Sequence, residues 1–195
     1  MQHQLNQLTI KNIKRPNNVD IAYGFVLGNK KIDIAVLTER ENTKIRIFSL
    51  PDFKAIDSNG NVFNSQDYLG KSLVIYFYPK DETRVCTEQA CSFRDNYEEF
   101  KELGAEVIGI SSDSNKSHQK FASKHQLPFI LLSDNDKKLR KLFGVPNDLF
   151  GLIPGRVTYV VNKNGIIEMV FNSMSGKIHI EKALEKLRNQ SHTKK

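Results

Sequence analysis

From Leu50 onward the chain alternates two hydrophobic rhythms. Short continuous apolar runs suit buried strands, and longer stretches with an apolar residue every three or four positions suit amphipathic helices. Residues 73–78 (LVIYFY) predict a central strand, apolar throughout and stopped by Pro79. A helix is expected over 85–103, with Phe93, Tyr97, Phe100 and Leu103 along one face, and a second buried strand over 107–111. Asp113 or Ser114 can cap a helix running to about His125, and Pro128 blocks its continuation before a short strand at 129–132. Residues 134–143 predict another short helix, closed by Gly144 and Pro146. Strands at 157–161 and 166–171, joined through Asn162, Lys163, Asn164 and Gly165, predict a hairpin, and a last helix covers 178–187. Such alternation is the pattern of an α/β layer fold.

The first fifty residues follow a different pattern. Residues 21–27, 32–37 and 44–48 predict three short strands, the first two separated by Gly28 and Asn29, with Ile32, Ile34 and Val36 alternating against Lys31, Asp33 and Ala35. A small antiparallel meander of this kind is marginal alone, so it is expected to pack on the main domain or on another subunit. The organisation expected is a β-rich extension over 1–49, a main α/β domain over 50–188 and a polar, frayed tail over 189–195.

At 195 residues the chain suits one domain with an appendage, and no uncharged apolar run reaches the roughly 18 residues of a membrane span. Lys and Arg total 29 against 22 Asp and Glu, a net +7, of which residues 1–50 supply +4. No recognition motif accompanies this charge, so a solvated surface is expected rather than nucleic-acid binding. Residues 1–18 are polar and basic and lack the apolar core and cleavage pattern of a secretory leader, which makes a reducing, cytoplasmic location the expectation. Two cysteines are too few for a disulfide framework or a closed zinc site, so they are either packing or reactive.

Their surroundings favour reactivity. Cys86 falls where the central strand gives way to a helix, the junction at which α/β folds usually build a site. Free N–H groups and the positive end of the helix dipole there favour an anion, and so a thiolate. Thr83, three residues earlier, offers a hydroxyl that can accept a hydrogen bond from a peroxide, and Pro79 can exclude water without adding a donor. A cation from elsewhere in the chain would complete a site that holds two peroxide oxygens in line and stabilises the departing one.

The segment Pro79-x-x-x-Thr83-x-x-Cys86 resembles the peroxiredoxin active-site motif, and the longer string YPKDETRVCTEQACSFRD resembles the PrxQ, or bacterioferritin-comigratory-protein, group. The resemblance runs from Pro51-Asp52-Phe53 through Leu187, about 70% of the chain, and takes in Pro154-Gly155-Arg156. It implies a thioredoxin-like fold with a central mixed sheet flanked by helices. It also implies reduction of hydrogen peroxide and organic hydroperoxides through a Cys86 sulfenic acid, with Arg156 beside the peroxidatic sulfur. Cys91 has the spacing at which the group often carries its resolving cysteine. The implied reductant is thioredoxin or a glutaredoxin-like protein. Arg84 and Val85 stand where members usually have Pro-Gly, which removes the freedom of glycine and brings a second cation towards the pocket mouth.

On a regular helix Cys86 and Cys91 point about 140° apart with Cα atoms roughly 8 to 9 Å apart. A disulfide needs less than about 7 Å, so the pair can join only after the first turns unwind. Plainer roles are expected for the other polar groups: Asp81, Glu82 and Glu88 as solvated charges at a helix start, and His118, His125 and His179 in surface or packing roles. No metal, flavin or nucleotide is implied by any motif, and no membrane association is expected. Monomer is the expected state, with a dimer through the N-terminal extension as the alternative. Two other functions compete: a thiol-based redox sensor or disulfide oxidoreductase on the same fold, and an interaction protein acting through its extension.

Overall fold

The computed structural model describes residues 8–11, 21–27, 30–35, 44–148 and 152–192; for the first four strands and for residues 191–192 only the backbone is described. In the extension, β1 (Leu8–Lys11), β2 (Ile21–Leu27), β3 (Lys30–Ala35) and β4 (Lys44–Ile47) form two antiparallel pairs, β2 with β3 and β1 with β4. Of the expected hairpin or three-strand meander, the β2–β3 pair forms a hairpin, while β4 pairs with β1, a strand the pattern did not predict. The Gly28–Asn29 turn, Val36 and Leu37 lie outside the described residues.

The main domain opens with a hairpin of β5 (Lys54–Ile56) and β6 (Val62–Asn64). Next come β7 (Ser72–Phe77), α1 (Arg84–Asp95), α2 (Tyr97–Glu102) and β8 (Ala105–Ser111). They are followed by α3 (Asn115–His125), β9 (Ile130–Ser133) and α4 (Lys138–Leu142). The two-residue strands β10 (Asn147–Asp148) and β11 (Ile153–Pro154) pair before β12 (Val157–Val161), β13 (Ile167–Asn172) and α5 (Ile178–His192). The central sheet is mixed, in the order β13-β12-β7-β8-β9, with β7, β8 and β9 parallel and β12 antiparallel to both its neighbours.

Strand β7 is buried on both faces, which is why residues 73–77 read as unbroken apolar. Val74 and Tyr76 point into one core with Phe93, Phe100, Phe121 and Ile180, while Leu73, Ile75 and Phe77 point into the other with Leu139, Phe143, Val157 and Tyr159. Helices α1, α2, α3 and α5 thus cover one face, and α4 with the β5–β6 hairpin covers the other.

Three helices differ from the sequence pattern. The helix expected over 85–103 breaks at Asn96, whose backbone leaves the helical region (φ −108°, ψ 11°) while its side-chain amide donates to the Ser92 carbonyl at 2.8 Å. Phe93 and Phe100 still share one core, so the apolar spacing carries across the break. The helix expected over 134–143 shrinks to α4, because Lys137 adopts φ 57° and the Asp134 carboxylate caps the turn, accepting from the N–H groups of Leu139 and Arg140 at 2.8 Å each. The last helix continues past Leu187 to His192.

Candidate active site

Beyond β7 the chain turns through residues 78–83 and starts α1. The first helical hydrogen bond there runs from Thr87 N–H to the Thr83 carbonyl at 2.8 Å. The N–H groups of Arg84, Val85 and Cys86 stand ahead of the ladder and make this end of the helix partially positive. Cys86 sits among them with its side chain turned inward, 2% exposed, against the core under β7.

Strand pairing brings the cation. Val157 lies opposite Phe77, so Arg156 is delivered to the end of β7 where the turn to α1 begins. Its Nη2 donates to Cys86 Sγ at 3.2 Å and its Nη1 donates to Gln89 Oε1. Arg156 is 1% exposed, so its charge acts on the sulfur with little solvent screening. Arg156 Nε and Gln89 Nε2 are buried donors with no partner among the described residues.

A second buried arginine, which the sequence does not single out, fixes the two segments that meet here. Arg140 donates through Nη2 to the Tyr78 carbonyl at 3.1 Å and through Nη1 to the Gly155 carbonyl at 2.8 Å, one residue ahead of Arg156. Gly155 in turn donates its N–H to the Pro146 carbonyl at 3.0 Å. A Cβ on residue 155 would lie 2.3 Å from that oxygen, so only glycine permits this approach.

Thr83 is the N-cap of α1, yet its hydroxyl makes no capping hydrogen bond; it donates instead to the Lys80 carbonyl at 3.1 Å. Pro79 is half-buried in the same turn. Arg84 points to solvent and pairs with Glu88 at 3.2 Å, so the added cation is not in contact with the sulfur. Asp81 departs most from expectation. It is buried, and its carboxylate accepts from the Tyr78 hydroxyl and the Ser117 hydroxyl at 2.7 Å each and lies 2.9 Å from His118 Nδ1. Burial pushes the Asp81 carboxyl up, but hydrogen bonds from His118, Ser117 and Tyr78 outweigh it and leave it below the usual range. His118 is fully buried, its Nε2 lying 3.2 Å from the Leu132 carbonyl, so the pair staples the active-site turn to α3 and β9.

Cys91 lies one and a half turns beyond Cys86, half-buried, and both thiols are free. Its Sγ is 4.0 Å from His125 Nδ1. The structure therefore gathers Cys86, Arg156 and the unforeseen Gln89 at one point, with Thr83 and Pro79 on the adjoining turn and Cys91 on another face. Gln89 is three residues after Cys86, a helical neighbour that the spacing could have flagged. No group of three or more His, Cys, Asp or Glu side chains among the described residues is arranged to hold a metal, and no helix among them is long and apolar enough to cross a membrane.

Residues 49–170 match the AhpC/TSA family. Over 140 residues the chain is 51% identical to the chloroplastic peroxiredoxin Q of Sedum lineare, a match covering 71% of this chain and 75% of that protein. It is 53% identical over 139 residues to the chloroplastic peroxiredoxin Q of Arabidopsis thaliana, covering 71% of this chain but only 64% of the relative. Among solved structures, a PrxQ of Xylella fastidiosa superposes with a TM-score of 0.69 at 29% identity, over 73% of this chain and 94% of that one. The peroxidoxin BcpB of Mycobacterium tuberculosis does so with 0.67 at 34%, over 72% and 94%. The fold is thus the thioredoxin-like one that the resemblance implied. With the motif and the Arg156 contact, these likenesses establish that the chain belongs to the AhpC/TSA family, within its peroxiredoxin Q group of thiol peroxidases.

Proposed function

We propose that the protein reduces hydroperoxides with Cys86 as the attacking thiolate and Cys91 as the resolving thiol. The observation that carries the reading is the buried Arg156 guanidinium on Cys86 Sγ, at a helix start that already favours negative charge. The thiolate sulfur attacks the terminal peroxide oxygen, the O–O bond breaks, and the departing alkoxide or hydroxide takes up a proton, leaving a Cys86 sulfenic acid. Thr83 spends its hydroxyl hydrogen on the Lys80 carbonyl, so its oxygen faces an incoming peroxide as an acceptor. The free donors on Arg156 and Gln89 supply hydrogen bonds where charge develops on the leaving oxygen. Half-buried Pro79 narrows water access to the turn.

Resolution follows when the first turns of α1 open and Cys91 displaces the sulfenic oxygen as water. An external dithiol, thioredoxin or a glutaredoxin-like protein, then returns both thiols. Organic as well as inorganic hydroperoxides suit the site. Exposed Val85 lies at its edge, beside the Gly176 backbone, with exposed Met174 and Ile178 two residues to either side of that glycine. The plant relatives are named as chloroplastic; the cycle requires only a compartment that supplies the dithiol. We place the boundary between extension and catalytic domain near residue 50 and favour a monomer.

One equivalent of hydrogen peroxide followed by mass spectrometry tests the cycle. A Cys86–Cys91 disulfide within one chain is the expected product, and a persisting sulfenic acid or an intermolecular disulfide overturns the resolving step. Stopped-flow oxidation separates the peroxidase from a redox sensor or disulfide oxidoreductase, since a rate near that of free cysteine would favour those alternatives.

A further inference from the structure

His125, expected from the sequence to have a surface or packing role, lies between the second thiol and a carboxylate. Its Nδ1 is 4.0 Å from Cys91 Sγ, and its Nε2 is 3.5 Å from Glu82 Oε1. Nε2 is buried and has no aligned hydrogen-bond partner among the described residues. Three further contacts hold this ring at the end of α3. Phe121 makes a T-shaped contact with it, centroids 5.0 Å apart at 66°. Arg94 of α1 donates to the His125 carbonyl at 2.7 Å, and Lys124 pairs with the other Glu82 oxygen at 2.6 Å. Glu82 itself adopts φ 58°, a left-handed backbone that a glutamate rarely takes. The Lys124 ammonium above all, and His125 as well, hold its carboxyl below the usual range despite some desolvation, so it is an anion at neutral pH.

We propose that His125 is the proton acceptor for the resolving thiol, with Glu82 as the positioning residue that orients its ring. This rests on the reading of Cys91 as the resolving cysteine. Nδ1 takes the Cys91 proton, and the Glu82 carboxylate is the counter-ion of the imidazolium that forms. Once the first turns of α1 open, the Cys91 thiolate attacks the Cys86 sulfenic sulfur. The S–S bond forms, the S–O bond breaks, and the hydroxide leaves as water with the proton that His125 had taken. No further oxidant or reductant enters this step. The charged groups facing the pair are Glu82 from the turn before α1, Arg94 from α1 and Lys124 from α3.

An ordinary thiol is only about 3% ionised at pH 7, so complete proton removal could raise the thiolate fraction about thirtyfold. The lower nucleophilicity of an acidified thiol cuts this gain to several-fold. The test is single-turnover decay of the sulfenic acid, trapped with dimedone at successive times after one equivalent of hydrogen peroxide. His125→Phe keeps a ring against Phe121 and removes the base. Its decay should be about fivefold slower at pH 7 and within twofold of the unaltered protein at pH 9.5, where a thiol ionises unaided. Glu82→Gln should slow it in the same direction by less.

Equal decay at pH 7, or an equal loss at both pH values, would overturn the role of His125. A second measurement survives poor folding of the phenylalanine variant. With Cys86→Ser, Cys91 is the sole thiol, and adding His125→Gln should slow its alkylation by iodoacetamide several-fold at pH 6.5; an unchanged rate overturns the proposal. Cys91→Ser distinguishes the two layers, since normal sulfenic acid decay in that variant would remove Cys91 from the cycle whatever His125 does.

Discussion

His179 ties the stability of the Arg156 strand to pH. It is fully buried, and its neighbours assign the tautomer: Nε2–H donates to the Ser173 carbonyl at 2.9 Å, and the Thr158 hydroxyl donates to Nδ1 at 2.8 Å. Burial, the largest influence, pushes the imidazole down from 6.5 to about 4; the Ser173 carbonyl opposes the shift and the Arg156 guanidinium adds to it. Because the unfolded chain takes up the proton near 6.5 and the folded one only near 4, the neutral ring stabilises the fold fully above pH 6.5. That contribution is lost as pH falls towards 4. The gap corresponds to about 3 kcal/mol in all, of which roughly 2.5 kcal/mol is gone by pH 4.5. Other carboxylates titrate over the same range, so the perturbation must isolate this ring. Urea unfolding of the unaltered protein and of His179→Gln, whose neutral amide can still donate to Ser173, at pH 8 and pH 4.5 does so, because the common titrations cancel in the difference. The stability advantage of histidine over glutamine should shrink by about 2.5 kcal/mol between the two pH values. An advantage constant to within about 0.5 kcal/mol would refute the buried neutral imidazole.

Three further outcomes follow from the site geometry. Replacing Arg156 with Met, which fills similar volume without charge, should slow Cys86 oxidation by hydrogen peroxide at least a hundredfold in stopped flow, the usual effect of losing a charged donor at developing charge. Gly155→Ala sets a Cβ 2.3 Å from the Pro146 carbonyl, so the backbone must shift; peroxidase activity should fall together with about 1 to 3 kcal/mol of stability, read by urea unfolding. Asp81→Asn leaves the buried Tyr78, Ser117 and His118 groups with one mismatched partner and should cost about 1 to 3 kcal/mol at pH 7. The Asp81 carboxylate titrates low in the folded protein, so it stabilises above the ordinary carboxylate range. The deficit of the asparagine variant should accordingly narrow as acid protonates the parent.

What is legible in the sequence depends on how far apart the cooperating residues lie. Pro79, Thr83 and Cys86 occupy one short segment, so a strand stop, a helix start and a nucleophile can be read together. Arg156 is 70 residues from Cys86, and nothing in its own surroundings states its purpose; only the resemblance pointed to it. Arg140 is less legible still, because its role exists only once β12 pairs with β7 and brings Gly155 near Tyr78. Asp81 looks like a helix-start charge because composition cannot tell that the turn folds it inward onto α3. The α/β order and the central strands follow from hydrophobic rhythm, since burial on both faces leaves Ser72, at its start, as the one small polar residue before the unbroken apolar run of β7. The break at Asn96 is hidden by the same rhythm, because both helical pieces feed one core.

In the proposed cycle Arg156 acts on α1 as both activator and latch. On its first turns Arg84, Val85 and Glu88 face solvent, and the inward residues Cys86 and Gln89 are the two that Arg156 holds. Ala90 and Phe93, further along, are packed into the core with Tyr76, whose ring stacks on Phe93 at 4.5 Å. Opening the helix through its first turn and a half therefore gives up little apolar burial but must break both arginine contacts, whereas opening it further would expose an aromatic core. In the proposed cycle, oxygen transfer leaves a neutral sulfenic acid on Cys86 and weakens one of those contacts at the moment when resolution needs them released. If Cys91 resolves as proposed, the retained second half of α1, anchored by Phe93, limits how far Cys91 can travel, so the two thiols would meet chiefly through movement of the Cys86 end.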